Sequence, residues 1–192
     1  MIKLFSFGNR KLPSTTMVFN ITAATDCKSD SLNLCQLANS NACYAKKAER
    51  MYKAVLPYRR KQAEFWDRCT AQSFVTELLQ NKGKRKIKHL RLNEAGDFRS
   101  QKDILKAEKI AKMLKMHGIQ TYCYTARKDL DFSKCNTLVV NGSGFMVHNS
   151  FTVFPRKTDL TKLTGTKICA RNCRICNMCM NKSNLKIVTE LH

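Results

Sequence analysis

The hydrophobic and polar positions of the chain follow two periods, one typical of strands and one typical of helices. Five short stretches rich in β-branched and aromatic residues predict strands, the last as a strand or a hairpin. They cover residues 16–22, 87–92, 119–124, 137–140 and 145–154. Four segments with apolar residues at helical spacing predict helices. They start at Ala42, Tyr58, Thr70 and Gln101. This order predicts an α/β fold with a mostly parallel sheet.

Two details of the helical segments bear on the later argument. Pro57 separates the first two segments, and Thr70 is a candidate N-cap for the third. In the first segment, Glu49 falls on the polar side with its lysine neighbours, so we expect it to face solvent. Trp66 is expected in the core rather than as a platform for base stacking.

The charge of the chain points to a polyanionic partner. Thirty-five Lys and Arg residues against fourteen Asp and Glu residues leave a formal net charge of +21. Such an excess attracts phosphate backbones, so we expect nucleic acid or a nucleoprotein complex as the partner. No apolar run reaches the roughly 20 residues that span a bilayer, so no membrane role is expected. Ten cysteines without a secretory signal predict a reducing compartment, the cytoplasm of a host cell.

The densest positive charge lies in residues 82–91, which we call the basic segment. Its six basic residues are candidate phosphate contacts, and a solvated connecting loop is the alternative. They are Lys82, Lys84, Arg85, Lys86, Lys88 and Arg91.

Four cysteines lie within eleven residues near the C-terminus: Cys169, Cys173, Cys176 and Cys179. Disulfides between such close neighbours are disfavoured by geometry, so metal ligation is the expected role. Consecutive x2 spacings are typical of a 4Fe-4S cluster, whereas structural zinc more often uses two separated Cys-x2-Cys pairs. Iron–sulfur and zinc both remain open, with free thiols as a third interpretation.

A second group of thiols follows the first predicted strand. Cys27, Cys35 and Cys43 lie on a polar loop with seven residues between neighbours. They are candidate metal ligands, and buried small hydrophobic residues are the alternative. After the 87–92 strand comes Asn93-Glu-Ala-Gly-Asp-Phe98. Carboxylates at the C-terminal end of a strand form a candidate site in α/β folds, and capping of the next helix by Asp97 and Ser100 is the alternative, compatible interpretation.

Several segments together resemble the phage gene-product-88-like family, which is cysteine-rich and poorly characterised. The resemblance rests on Phe5-Ser-Phe-Gly-Asn-Arg-Lys-Leu12, Cys43-Tyr-Ala-Lys-Lys-Ala-Glu49, Asn93–Phe98, Tyr122–Thr125 and the final Cys-x2-Cys-x2-Cys with Asn181-Lys182. Their order covers nearly the whole chain. The resemblance implies a phage or mobile-element origin and a cysteine-rich α/β protein, without naming a reaction.

A more distant likeness is to radical S-adenosylmethionine enzymes, which carry three cysteines on the loop after the first barrel strand. The matching positions would be Cys27, Cys35 and Cys43 for the cluster. Tyr44, Glu94, Gly96 and Asp97 would then bind the cofactor. Cys169–Cys179 would hold an auxiliary cluster. The first loop lacks the compact Cys-x3-Cys-x2-Cys spacing of those enzymes and the chain is short. The likeness therefore implies a partial or reduced (β/α) barrel-like sheet.

These observations lead to three hypotheses. The first is an iron–sulfur enzyme that cleaves S-adenosylmethionine and acts on nucleic acid. The second is a non-catalytic binding module stapled by iron–sulfur clusters or zinc. The third pools thiols from both groups around one site. In each, residues 1–160 form the α/β core and residues 161–192 form a four-cysteine segment packed on it. The sequence leaves the oligomeric state open.

Overall fold

The computed structural model describes residues 4–191, in which eight strands alternate with five helices. The strands are β1 Ser6–Phe7, β2 Thr16–Phe19, β3 His89–Leu92, β4 Gln120–Thr125, β5 Val139–Ser143, β6 Asn149–Phe154, β7 Lys167–Ile168 and β8 Lys186–Glu190. The helices are α1 Lys28–Ser31, α2 Tyr44–Met51, α3 Val55–Arg68, α4 Ala71–Lys82 and α5 Gln101–Met116. None of the helices in residues 4–191 is long and apolar enough to cross a membrane.

All eight strands form one sheet, in the order β1-β2-β3-β4-β5-β6-β8-β7. The β1–β2 pair is antiparallel and every other pair is parallel. The predicted α/β architecture with a mostly parallel sheet is therefore confirmed. From β2 to β6 the order never reverses, so right-handed crossovers place the connecting helices on one face. Barrel-like curvature stays a prediction, because the order ends at the two edge strands β1 and β7.

The helices cover one face of this sheet with an apolar core. Met17, Phe19, Leu90, Leu92 and Cys123 alternate along β2, β3 and β4, and they pack against α3, α4 and α5 in one buried cluster. Trp66 belongs to that cluster and its indole N–H donates to Asp103 Oδ1 at 2.7 Å, which confirms its core position. Thr70 caps α4 by accepting from the Ser73 amide at 3.1 Å, as predicted.

The opposite face, which we call the inner face, carries the other set of alternating residues. It is unusually polar for a buried surface. Its members are Thr16, Val18, His89, Arg91, Tyr122, Tyr124, Val139, Asn141, Asn149 and Phe151. Two long loops rather than helices lie over this face, one after β2 and one after β7. Both cysteine groups are on these loops.

The structure differs from the predicted elements at three places. Pro57 does not interrupt a helix but lies in the first turn of α3, where backbone N–H groups have no intrahelical acceptor to lose. Of the predicted 145–154 element, only Asn149–Phe154 forms a strand, the parallel strand β6, so the strand alternative is confirmed with a later start and the hairpin alternative is wrong. The C-terminal segment does more than pack on the core, because β7 and β8 join the same sheet.

Candidate functional site

Cys27, Cys35 and Cys43, the first thiol site, lie on the loop that follows β2. Cys27 directly precedes the short helix α1, and Cys43 directly precedes α2. Between them, the Ser29 carbonyl accepts from the amides of Leu34 and Cys35 and so turns the chain back. The loop therefore brings together three cysteines that are separated by seven residues in the sequence.

A cavity of about 160 Å³ lies beside these thiols, at the C-terminal ends of β3 and β4. Its lining includes every residue that the sequence analysis grouped as a metal ligand or cofactor contact around the first thiol site. These residues are Cys27, Cys35, Cys43, Tyr44, Glu94, Gly96 and Asp97. The C-terminal edge of a parallel sheet is where α/β folds place their sites, because strand ends and loops meet there.

Asp97 is the buried anchor of this cavity. Its carboxylate accepts from the Ser29 hydroxyl at 2.6 Å and from the amides of Phe98 and Ala126, both at 2.7 Å. Burial raises its pKa, and the hydrogen bonds oppose that shift. Asp97 joins the end of β3 to the end of β4 and to α1. It does not cap α5, whose N-cap is Ser100.

The Glu94 carboxylate accepts fewer hydrogen bonds than the Asp97 carboxylate. Its Oε1 accepts from the Asn9 side-chain amide at 2.9 Å, and its backbone carbonyl accepts from the Tyr44 hydroxyl. The Tyr44 ring is largely exposed, while its hydroxyl is enclosed and burial raises its pKa. Glu94 therefore keeps carboxylate lone pairs available to a ligand in the cavity.

Because Gly96 has no side chain, the backbone that lines the cavity can lie close to Thr22, in the segment that follows β2. Its φ is +67°, and a Cβ atom added there would lie 2.1 Å from Thr22 Oγ1 and 2.4 Å from the Thr22 carbonyl oxygen. Thr22 donates to the Asp97 carbonyl and accepts from the Asp97 amide at 3.1 Å. The glycine is required by this packing.

Sequence reasoning missed Glu49, which holds the start of the cysteine loop. Its carboxylate accepts from the amides of Ala24 and Thr25, from the Thr25 hydroxyl and from Arg59, all within 2.7–2.8 Å. The expected solvent-facing position is wrong, because Glu49 is only 7% exposed. An isolated acidic residue among the lysines of α2 was the one available signal.

The four C-terminal cysteines, Cys169, Cys173, Cys176 and Cys179, form the second thiol site on the loop between β7 and β8. Their thiols are close enough for each to influence the ionisation of Cys179. Burial raises the pKa of Cys179 to about 12, the other thiols add to the shift, and the Tyr124 hydroxyl opposes it. Cys173 packs against a cluster formed by Tyr122 and Val139 of the inner face and by Met180 of the loop.

Two buried asparagines, also missed from the sequence, fasten this second loop to the sheet. Asn141 donates to the Cys179 carbonyl at 2.9 Å, and Asn149 donates to the Asn181 carbonyl at 2.8 Å. The two side chains are linked by a 3.1 Å hydrogen bond. Their strand positions are registered neighbours, so the pair holds the loop on adjacent strands β5 and β6.

The donor chemistry of both sites suits thiophilic metals. All ten cysteines are free thiols. Within residues 4–191, no three Cys, His, Asp or Glu side chains are arranged to hold a single metal ion. A cubane distributes its cysteines over separate iron atoms and needs a wider spacing than one ion does. By residue type, the three or four thiols of each loop are a donor set that iron–sulfur or zinc could use, and metal ligation stays a prediction.

The basic segment divides between two places. Lys84, Arg85, Lys86 and Lys88 are exposed, and Lys82 is half-buried. They precede β3, whereas the cavity lies beyond its C-terminal end. The segment is therefore at the opposite end of the strand from the cavity.

Arg91, the last basic residue of the basic segment, is half-buried rather than exposed. It lies within β3 on the inner face, with its guanidinium 4.9 Å from the centre of the Tyr124 ring. Its Nε is buried without a hydrogen-bond partner in the described chain. Other buried polar atoms without a hydrogen-bond partner in the described chain lie on this face or, in the case of Asn93, directly after β3. They are Thr16 Oγ1, His89 Nδ1, Asn93 Nδ2 and Tyr122 Oη.

Comparisons with known proteins place the chain in a family without extending to a reaction. No curated protein matches it, and no solved structure matches it either. The comparisons do not support the likeness to radical S-adenosylmethionine enzymes. A family model described as gene product 88 matches residues 3–181, nearly the full length. The chain therefore belongs to the gene product 88 family.

Proposed function

We propose that this protein is an iron–sulfur protein of phage type, with an open cluster at the first thiol site and a second, fully ligated metal centre at the second thiol site. The observation that carries the proposal is the cavity that Cys27, Cys35 and Cys43 share with Glu94. Three cysteine ligands leave one iron of a 4Fe-4S cubane without a protein ligand, and here that position would face the cavity.

The residues around the cavity are consistent with a small zwitterionic ligand such as S-adenosylmethionine. A reduced cluster can supply the electron that cleaves such a sulfonium compound. The chain would provide Glu94 for the ligand ammonium group and the Tyr44 ring as an exposed apolar wall. Asp97 would act indirectly, since its oxygens already accept three hydrogen bonds, one of them from Ser29 on the cysteine loop.

The second thiol site supplies four thiols, which complete the coordination of a cubane or of zinc and leave no open position. Its loop rests on the inner face next to Tyr122 and Tyr124, and close to the cavity, which Tyr124 also lines. A centre there would stabilise the loop and would lie close to the first cluster.

The net charge of +21 and the exposed lysines of the basic segment support nucleic acid or a nucleoprotein complex as the partner. A polymer bound at Lys84–Lys88 would contact the end of the sheet opposite the cavity. It would therefore have to extend along the molecule to be a substrate at the cavity. We place this activity in the cytoplasm of the host cell.

One observation favours a second candidate function, a non-catalytic binding module stapled by iron–sulfur or zinc centres. Asp97, one of two carboxylates expected to contact a cofactor, is instead used in packing the loop. If Glu94 is likewise used only to hold Asn9, the thiol sites serve stability and the basic surface performs the binding.

The deciding experiment measures iron, acid-labile sulfide and zinc per chain after anaerobic purification, with absorption and electron paramagnetic resonance spectra before and after addition of S-adenosylmethionine. The enzyme proposal predicts two clusters, one of which changes its spectrum on addition. Cys35→Ser should remove the responsive cluster, Cys176→Ser the unresponsive one, and Glu94→Gln should weaken the response without loss of iron. Zinc alone, or clusters that never respond, would establish the binding module instead.

A further inference from the structure

We infer that Arg91 and Tyr122 are the built-in counter-charge of the second thiol site, donating hydrogen bonds to an anionic metal–thiolate centre held by Cys169, Cys173, Cys176 and Cys179. This inference rests on the proposed metal ligation there. It adds a role for two inner-face residues that the sequence did not indicate.

Arg91 lacks an anionic hydrogen-bond partner in the described chain, and this lowers the stability of the fold. Its Nε is buried, and no carboxylate in residues 4–191 lies within 4 Å of the guanidinium. An arginine remains charged at any physiological pH, so a buried Nε–H without an acceptor is unfavourable, although the side chain as a whole is only half-buried. The cation–π contact with Tyr124 compensates for only part of this cost. An acceptor with negative charge is needed.

Tyr122 lies beside Arg91 on the adjacent strand of the sheet. The two residues are register partners on β3 and β4. Tyr122 is 1% exposed, and its hydroxyl also has no hydrogen-bond partner in the described chain. Two unsatisfied donors on adjacent strands, one of them charged, form a donor pair that faces the same side of the sheet.

The loop of the second thiol site packs on the Tyr122 side of the donor pair, with Cys173 in contact with the cluster formed by Tyr122, Val139 and Met180. Four thiolates around zinc(II) or an oxidised cubane leave a net negative charge, and sulfur atoms in such centres accept hydrogen bonds. A metal–thiolate centre in this loop would therefore bring negative charge to Arg91 and Tyr122, in addition to the Glu94 carboxylate, whose charge also acts on both residues.

The inference explains why the second thiol site can be anionic although it is partly buried. Without a counter-charge, four thiolates brought together on a protein surface repel each other and lose hydration. A fixed guanidinium and a hydroxyl beneath them offset both effects. Arg91 is a positioning and charge-compensating residue in this scheme, and it does not bind the metal.

The test compares the melting temperature of metal-free and metal-loaded protein for wild type and Arg91→Met. Metal-free protein is prepared with chelator and reductant, and loading uses ferrous iron with sulfide, or Zn²⁺ in a parallel series. Methionine has a similar length without the charge. We expect the metal-free variant to melt at or above the wild-type temperature, because a buried unpaired charge is removed. We expect the stabilisation by metal to shrink by about 4 °C or more.

Two controls locate the effect. Arg99→Met removes a half-buried arginine that is paired with Asp67 of α3 and Asp103 of α5, and should lower both melting temperatures equally. In a Cys176→Ser background, which lacks the complete second site, Arg91→Met should no longer change the metal-induced stabilisation. With iron, Arg91→Met should also lower the reduction potential of the second cluster, since a positive charge near it is lost.

Three outcomes would overturn the inference. Equal losses in the metal-free and loaded states would show that Arg91 has its partners within the chain. Stabilisation of metal-free wild type, but not of Arg91→Met, by inorganic phosphate would identify a free anion as the acceptor. Unchanged metal stabilisation in Arg91→Met would remove the counter-charge role while leaving the proposed function intact. If wild type takes up no metal through Cys176, the proposed function itself fails.

Discussion

The Asp97 carboxylate accepts a hydrogen bond from the Ser29 hydroxyl at 2.6 Å, across 68 residues of sequence. This contact joins the sheet edge to the short helix that starts after Cys27. The same carboxylate accepts from the backbone amide of Ala126 at 2.7 Å. One side chain therefore sets the position of the cysteine loop relative to two strand ends.

Replacement of Asp97 should lower stability without touching a ligand directly. In Asp97→Asn, an amide N–H would face one of the donors that now point at a carboxylate oxygen. We expect a loss of about 2–3 kcal/mol in the free energy of unfolding, measured by urea denaturation. Glu94→Gln is the matched isosteric control in the same loop, and it should change stability by less than about 1 kcal/mol. Equal effects of the two changes would contradict the assignment of Asp97 as the anchor.

Two glycines have nearly the same backbone conformation but different surroundings. Substituting each by alanine therefore distinguishes the cost of backbone strain from the cost of steric crowding. Gly96 has φ +67° and its added Cβ would collide with Thr22, whereas Gly118 has φ +69° and open space around it. We expect Gly118→Ala to cost about 1 kcal/mol, the price of the left-handed conformation. Gly96→Ala adds overpacking against backbone, for a total of about 3–5 kcal/mol. Thermal unfolding of both variants checks the difference, and similar losses would show that Thr22 can move away.

The stability contributed by Glu49 should depend on pH. Burial raises the pKa of Glu49, but hydrogen bonds from Thr25, Arg59 and Ala24 outweigh it and leave the pKa lowered. A folded-state pKa below the unfolded value gives stability that is present above about pH 4.3 and is lost as the pH falls through the folded value.

Glu49→Gln should therefore be less stable than wild type by about 2–4 kcal/mol at pH 7, because Arg59 stays buried without its partner. The gap should narrow as the pH falls from about 4.3, the unfolded-state pKa, through the lowered folded-state pKa, below which Glu49 is neutral in the folded wild type. Urea unfolding at pH 7, 5 and 3 measures it. Glu64→Gln breaks an exposed pair with Arg68 and should show no comparable gap at any pH. A gap for Glu49→Gln that is independent of pH would contradict the ion-pair account.

The exposed part of the basic segment should contribute phosphate contacts. Changing Lys84, Arg85 and Lys86 to Gln should reduce the slope of log affinity against log salt by about 2–3, measured with a fluorescent oligonucleotide. Metal content should not change, since the segment lies at the other end of β3 from the cavity. The control replaces Lys102, Lys109 and Lys115, three exposed lysines of α5, with Gln. Equal effects of both triple variants would indicate attraction by net charge alone.

Local patterns were sufficient for most elements of the fold. The helix over 101–117 and the strands near 87–92 and 119–124 were predicted to within about two residues, because each buries one regularly spaced face. The Thr70 cap was also predicted correctly. β8 was missed because its five residues directly follow the cysteine-rich loop, and a parallel edge pairing depends on strands far away in sequence.

The candidate site was less accessible to sequence reasoning. The residue types were identified, but neither Glu49 nor the asparagines Asn141 and Asn149 were recognised as holding the loops. Arg91 was grouped with its lysine neighbours, although alternation along β3 points it to the inner face. Such roles follow from which surface lies opposite, and local spacing contains no information about that surface.

The sequence by itself determined the α/β order of elements, the two thiol groups and the excess of positive charge, since these depend on local periodicity, spacing and composition. Only the tertiary structure decided that the first thiols share a cavity with Glu94, that the loop of the second thiols packs on the inner face at Tyr122, and that the basic segment is at the far end of the sheet. These relations depend on long-range packing, in which residues distant in sequence become neighbours because strands β2 to β6 align side by side.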